Sequence, residues 1–413
     1  MMKSRWNAAL SALLTGACGG VATSPDASPS DAPPGPPDAI VAGDVTVNAQ
    51  QLGAGAIAYF FDPDGSVVDE VSLPPSGLAT RALLPGGAVS VVDEANGNAY
   101  HFTGVQPGEE LRVNSPSMFE TQLDVTFTVP SLVGATDYYV RTPCGSGVSN
   151  TTTVAVTLYD CGDTTDVVVV AAADPERTIF KAAVEVEAAM TISAAYKPKV
   201  PGSVEVTGVP AAIDTLEIYT ASTTLAGQLY VTSGLYGYAD PAEGALTATG
   251  MLPDVPDLWQ VGSVYSTSDL GSQAVQFRSQ GADLAFVLSE QRSPHMRNVA
   301  IDGAEPALIW TSVGQGAEPN LAIAQYSVDD GVSTFYHYLV GAPEEPGHLG
   351  IPSLPAPYEA WNPTPTSGGE LFYARTVATD AVGASEIRQR YFQTYDNTPA
   401  DGVAVVAYGE LAL

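Results

Sequence analysis

Ala56-Ile57-Ala58-Tyr59-Phe60-Phe61-Asp62-Pro63-Asp64-Gly65-Ser66-Val67-Val68 is the stretch whose reading decides the fold. An apolar run meets Asp-Pro-Asp-Gly, and a second apolar run follows. Pro presets a turn dihedral, Asp bonds its own backbone and Gly supplies positive φ, so the stretch reads strand, turn, strand. The same punctuation recurs downstream. Leu83-Leu84-Pro85-Gly86-Gly87 precedes Ala88-Val89-Ser90-Val91-Val92. Asn96-Gly97 then separates Val91-Val92 from Tyr100-His101-Phe102, the strongest hairpin signal in the chain. Short strands with turns about every 10 residues predict a β-sandwich.

Tyr59 to Gly65, Gly77 and Leu84 to Val91 resemble the carboxypeptidase regulatory-like, immunoglobulin-type sandwiches of secreted bacterial proteins. The resemblance covers roughly residues 42–116. It implies a structural or interaction module without chemistry of its own. A second unit starts near Ser117 and carries Val125-Thr126-Phe127-Thr128-Val129-Pro130, and a third starts near Gly202 with Val204-Glu205-Val206-Thr207-Gly208-Val209-Pro210. Residues 180–196 have some helical propensity, but the Val184-Glu185-Val186-Glu187 alternation favours a strand. The last third continues with Leu284 to Val287, Phe335 to Val340 and Val403 to Tyr408. The expected fold class is therefore all-β, with serial immunoglobulin-like sandwich modules at 43–116, 117–200, 201–295 and 296–413.

The N-terminal residues read as an export address. Lys3 and Arg5 precede the apolar Ala8 to Leu14, which is far shorter than the roughly 20 residues that span a bilayer. Leu14-Thr15-Gly16-Ala17-Cys18 resembles the lipobox of Gram-negative bacterial lipoproteins, with Thr15 departing from the usual aliphatic residue. That resemblance implies a signal peptide over 1–17 and acyl chains on Cys18. Gly19 after the cysteine, rather than Asp, implies sorting to the outer membrane. The alternative is an ordinary signal cut after Ala22, giving a periplasmic or secreted protein. Residues 18–42 are rich in Pro, Ser, Asp, Ala and Gly and read as a disordered, semi-rigid spacer.

Composition narrows the function. The 413 residues carry 15 Lys+Arg against 46 Asp+Glu, a formal charge of −31. Such a surface argues against nucleic acid, whose binding needs clustered cations. The 45% hydrophobic content is ample for packed cores. With Cys18 consumed by lipid, Cys144 and Cys161 form an even pair in an exported chain. A disulfide clamping the base of a hairpin is the expectation.

Candidate chemistry is sparse. No G-x-S-x-G occurs, and Gly145-Ser146-Gly147 reads as a hairpin loop. His101, His295, His337 and His348 show no ligand spacing, and His337 should share a strand face with Phe335 and Leu339. Asp62-Pro63-Asp64-Gly65 begins like a calcium loop, but Leu73 stands where the bidentate acid belongs. It and Asp329-Asp330-Gly331 read as turns, with weak calcium binding as a compositional possibility. No catalytic residue, metal ligand or cofactor is assigned. The speculative ligand site is Tyr358 and Trp361, two aromatics in a proline-stiffened loop that would stack on a sugar or peptide. The expected function is a non-catalytic envelope or surface lipoprotein in scaffolding or adhesion, contacting the membrane through its anchor and a cell-surface protein or glycan. The alternatives are a glycan- or peptide-binding protein using that loop, or a secreted hydrolase with an unrecognised carboxylate pair. Oligomeric state is not readable.

Overall fold

The computed structural model describes residues 41–52, 55–113, 122–159, 161–223, 229–230, 235–239, 244–255, 258–366, 369–379 and 402–409. They form thirty strands with a few single-turn 3-10 segments. The all-β, sandwich-built expectation is met. Cys18 and the 1–40 region lie outside the described residues.

The opening stretch folds as read. Ile57–Phe61 pairs antiparallel with Val67–Ser72 across the Asp62 to Gly65 turn. Asp64 Oδ1 accepts from the Ser66 amide and hydroxyl, and Gly65 sits at φ 83°. Gly87–Asp93 then pairs with Asn98–Val105 around Gly97, whose φ of 65° suits glycine.

Residues 122–198 make a self-contained sandwich. One sheet orders Gly145–Ser149, Tyr138–Thr142, Thr164–Ala171, Arg177–Glu185 and Lys197–Pro198; the other orders Thr153–Tyr159, Gln122–Thr128 and Ala189–Thr191. Phe127, Val140, Val154, Val167 and Val169 meet between them and are fully excluded from water. Within 180–196 the chain is strand to Glu185 and again over Ala189–Thr191, with Lys181 and Phe180 opposite Val167 and Val168 in a ladder, and no helix forms.

The other modules are not beads on a string. A 13-stranded sheet runs through all three. The third-module strands Ile213–Thr223, Trp259–Ser268 and Gly271–Gln280 lead to Gly402–Tyr408, Glu370–Thr379, Leu321–Asp329 and Thr334–Gly341. Thr334–Gly341 then pairs in parallel with Asn98–Val105 of the first module, Tyr338 opposite Tyr100. Sequence patterning did not reveal this merger, because nothing local marks which distant strand completes a ladder.

The two faces of this sheet are covered differently. On one face, Val204, Val206 and Leu252 cover Ile218, Val264 and Phe277. Next along the same face, Met296, Leu308 and Leu349 cover Ala322, Tyr326 and Leu339. Leu354, Tyr358 and Trp361 then cover Tyr59, Phe61 and Val92. On the opposite face, Gly43–Asn48, Leu78–Leu83 and the parallel Glu110–Arg112 form a three-stranded lid. Its Val45, Val47 and Leu111 pack on Phe60, Phe102, Leu321, Ile323, Val340 and Val377, so the first and fourth modules share one core.

Candidate functional site

The residues singled out from sequence are placed as follows. Cys144 and Cys161 are joined as a disulfide with Cα atoms 5.5 Å apart. The bridge sits at the open end of two consecutive antiparallel strands, where the Tyr159 amide donates to the Cys144 carbonyl at 2.8 Å. Gly145–Ser149 pairs with Tyr138–Thr142 in one sheet, while Thr153–Tyr159 pairs with Gln122–Thr128 in the other. The disulfide therefore ties the two layers at their edge. Closing a loop of this size contributes about 3 kcal/mol in the chain-entropy model.

Gly145-Ser146-Gly147 is a strand, not a loop. A Cβ on Gly145 would lie 2.3 Å from the Thr157 carbonyl oxygen, and one on Gly147 would lie 2.3 Å from that of Ala155. The glycines are there so that two strands of different sheets can touch backbone to backbone.

Tyr358 and Trp361 are buried, at 5% and 7% exposure. The Tyr358 hydroxyl donates to Glu94 Oε2 at 2.9 Å, and Trp361 stacks on Phe335 with centroids 4.3 Å apart. Burial, with the Glu94 carboxylate beside it, pushes the Tyr358 phenol up to about 12. Asn362 pins the loop by exchanging two hydrogen bonds with the Leu354 backbone. Neither ring offers a free face, so a stacking ligand has nothing to rest on there. Trp310 belongs to a different core cluster from Trp361.

Two of the four histidines, His101 and His337, meet where the first and fourth modules join. Ser90 Oγ lies 2.8 Å from His101 Nδ1, and His101 Nε2 lies 2.9 Å from His337 Nδ1. His337 also stacks on Tyr326 at 4.7 Å. The strand pattern puts His337 on the Phe335 and Leu339 face, as read. Burial holds the His101 imidazole down to about 3. Burial and the adjacent His101 hold His337 well below the usual range, offset in part by the Trp361 backbone. Both rings are neutral at ordinary pH, and one must donate the shared proton to the other. Ser90 is fully buried, so this chain of groups is a structural clasp across the seam.

The acidic turns spend their carboxylates on themselves: Asp330 Oδ1 accepts from the Val332 and Ser333 amides. Among the described residues, no group of three or more His, Cys, Asp or Glu is arranged to hold a metal ion. No described helix is long and apolar enough to cross a membrane.

Sequence reading missed the exposed aromatic surface. Tyr219, Tyr236, Tyr238 and Tyr265 are 51%, 58%, 56% and 40% exposed. Register puts them together. Glu217 stands opposite both Tyr238 and Tyr265, and Tyr219 stands opposite both Tyr236 and Ser263. Directly opposite residues share a face with Cβ atoms about 4.5–5.5 Å apart. The result is two adjoining rows, Tyr238-Glu217-Tyr265 and Tyr236-Tyr219-Ser263. The Tyr236 phenol is raised by the desolvation it suffers there and by Glu217, which accepts its proton in a hydrogen bond. The alternate residues Leu216, Ile218 and Val264 point into the core beneath. Tyr265 shares a cross-strand row with Ala274, Val406 and Val377, so the tyrosines lie on the same face as the lid, beyond its reach. The available signal was alternation: Leu216-Glu217-Ile218-Tyr219, Tyr236-Gly237-Tyr238 and Val264-Tyr265 each put polar or aromatic residues outward.

An all-β surface of this kind defines only a broad architectural class. No protein-family model matches the chain, and no curated protein sequence matches it. Among solved structures, the Bacillus anthracis TIE protein is similar at 14% identity over 60% of this chain, with a TM-score of 0.15. The chain spans 50% of the length of that protein. The major pilin subunit of Bacillus cereus is 10% identical over 60% of this chain and 98% of its own, with a TM-score of 0.14. A tandem-repeat extending region of a large adhesion protein is 10% identical over 89% of this chain and 98% of its own, also with a TM-score of 0.14.

Proposed function

We propose that this chain is a non-catalytic structural or adhesive protein of the bacterial cell envelope. It is exported, acylated on Cys18 and held off the membrane by the 18–42 spacer. One observation carries the structural half of the reading. Strands distant in sequence form one continuous 13-stranded ladder, so a pull on any of the three modules it joins is shared by backbone hydrogen bonds rather than by linkers. The polar groups of its interior serve that frame: Ser90, His101 and His337 join modules, and Tyr358 fastens a loop to Glu94. Support for export comes from the Cys144–Cys161 bridge, which suits an oxidising compartment.

Growth on radiolabelled palmitate tests the anchoring half. The wild-type chain takes up label and Cys18→Ala does not. Protease treatment of intact cells then removes the folded part if it faces outward. No label on wild type, or equal label on Cys18→Ala, removes the anchor from the account.

A further inference from the structure

We propose that the Cys144–Cys161 bridge is a thiol-exchange site, at which a small cationic thiol attacks Cys161 Sγ and Cys144 leaves as the thiolate. The inference goes beyond the structural and adhesive reading above and does not rest on it.

Access is the first observation. Both cysteines are only partly buried, although they pack against the core of their sandwich. Two open surface clefts flank the bridge. One, of about 290 Å³, is lined by Cys161 with Asp163, Leu123, Leu158 and Val186, and does not include Cys144. The other, of about 220 Å³, reaches both cysteines. Exchange proceeds by attack of a thiolate on one sulfur of the pair, so access decides which sulfur is struck. A thiol seated in the larger cleft meets Cys161. Clefts of this size fall below the roughly 300–1,000 Å³ of drug-sized ligand sites, which suits a small thiol.

The leaving group is the second observation. Thr142 and Thr165 are buried, at 5% and 4% exposure, and their Oγ1 atoms lie 3.6 and 3.7 Å from Cys144 Sγ. In the bridged state these hydroxyls donate to the Gly145 and Asp166 carbonyls, at 3.0 and 3.3 Å. A thiolate is a charged acceptor and draws both donors more strongly than a neutral carbonyl does. The protein thus holds two donors against the sulfur that must carry the charge. The step balances without an oxidant. The incoming thiol loses its proton to solvent and its sulfur bonds to Cys161 Sγ. The Cys144–Cys161 bond breaks, and its electron pair leaves on Cys144.

The third observation selects the thiol. Leu123, Leu158 and Val186 offer hydrocarbon walls, and Asp163 adds a carboxylate among them. The field of a chain carrying −31 repels anionic thiols and attracts cationic ones. A short aminothiol matches both features.

The test mixes the purified full chain with cysteamine at about pH 8, where a useful fraction of thiol is ionised. Excess N-ethylmaleimide then caps free thiols, and peptide mass spectrometry locates each label. In the native chain cysteamine falls on Cys161 and maleimide on Cys144, about tenfold over the reverse pattern, and denaturant abolishes the preference. Thr142→Val with Thr165→Val slows adduct formation about tenfold, whereas serine at both positions keeps the hydroxyls and the wild-type rate. Mercaptopropionate, normalised to its rate on the unfolded chain, reacts about tenfold more slowly than cysteamine. The wild-type labelling pattern does not depend on how any variant folds. The proposal is overturned by a bridge inert until the chain unfolds, by adduct on Cys144 or on both cysteines equally, by valine variants as fast as wild type, or by mercaptopropionate matching cysteamine. Cys18 lies in a separate peptide, so its acylation is read independently of the bridge.

Discussion

His101 and His337 show how much a single pair of side chains decides. Each was legible in the sequence as a strand residue, but neither as the other's partner, because the two are 236 positions apart and meet only through a parallel ladder. The groups that face them are Ser90, Tyr326 and the Trp361 backbone, none of them a charge. The folded state therefore binds protons at these rings far less readily than the unfolded chain does. The consequence has a definite sign. Above pH of about 6.5, where free histidine is neutral, the clasp costs nothing in linkage. As pH falls from there toward the folded value of about 3 for His101, the unfolded chain takes up protons that the folded one refuses, and stability declines. Each histidine contributes up to about 1.4 kcal/mol per pH unit in that window. Denaturant unfolding at pH 7.5 and pH 5 should show the loss, and His337→Leu should reduce the difference. A stability that is flat across this range in the wild-type chain would contradict the neutral buried pair.

At the scale of elements, local chemistry was a good guide to where strands begin and turn. Asp62 to Gly65 and Gly97 form the turns their residue types demand. Local chemistry was a poor guide wherever small residues serve packing instead of turning. Gly145 and Gly147 look like a loop because glycine usually is one, yet they lie in a strand whose backbone touches the facing sheet. Gly147→Val should force that strand away from Ala155 and cost about 1–3 kcal/mol or more, since the obstructing atom is backbone and cannot rotate aside. Thermal unfolding of the variant measures it; Ser146→Val, at the intervening exposed position, should be nearly neutral. Proline-stiffened aromatics misled in the opposite direction. Tyr358 and Trp361 resemble a display loop by composition, but an amphipathic ring with a nearby acid and a partner ring is as well suited to closing a core. The exposed tyrosines at 219, 236, 238 and 265 are quieter in sequence, because they are spread over three strands and only register assembles them.

At the scale of the whole described chain, the alternating strand pattern specified the fold class and left the assembly open. Alternation tells which residues face a core, and says nothing of whether that core belongs to one module or two. Here Leu321, Ile323, Val340 and Val377 of the last module complete the core of the first, while Gly402–Tyr408 sits between strands of the third and fourth. Only residues 122–198 keep their sheets to themselves. The central structural claim is thus a continuous ladder that makes three sequence-distant modules one cooperative unit. Native-state hydrogen exchange under mild denaturant tests it most directly. The account predicts that 98–105, 271–280, 321–329 and 334–341 open together at one free energy, with 122–198 opening separately. Exchange of 98–105 at a free energy independent of 334–341 would contradict it.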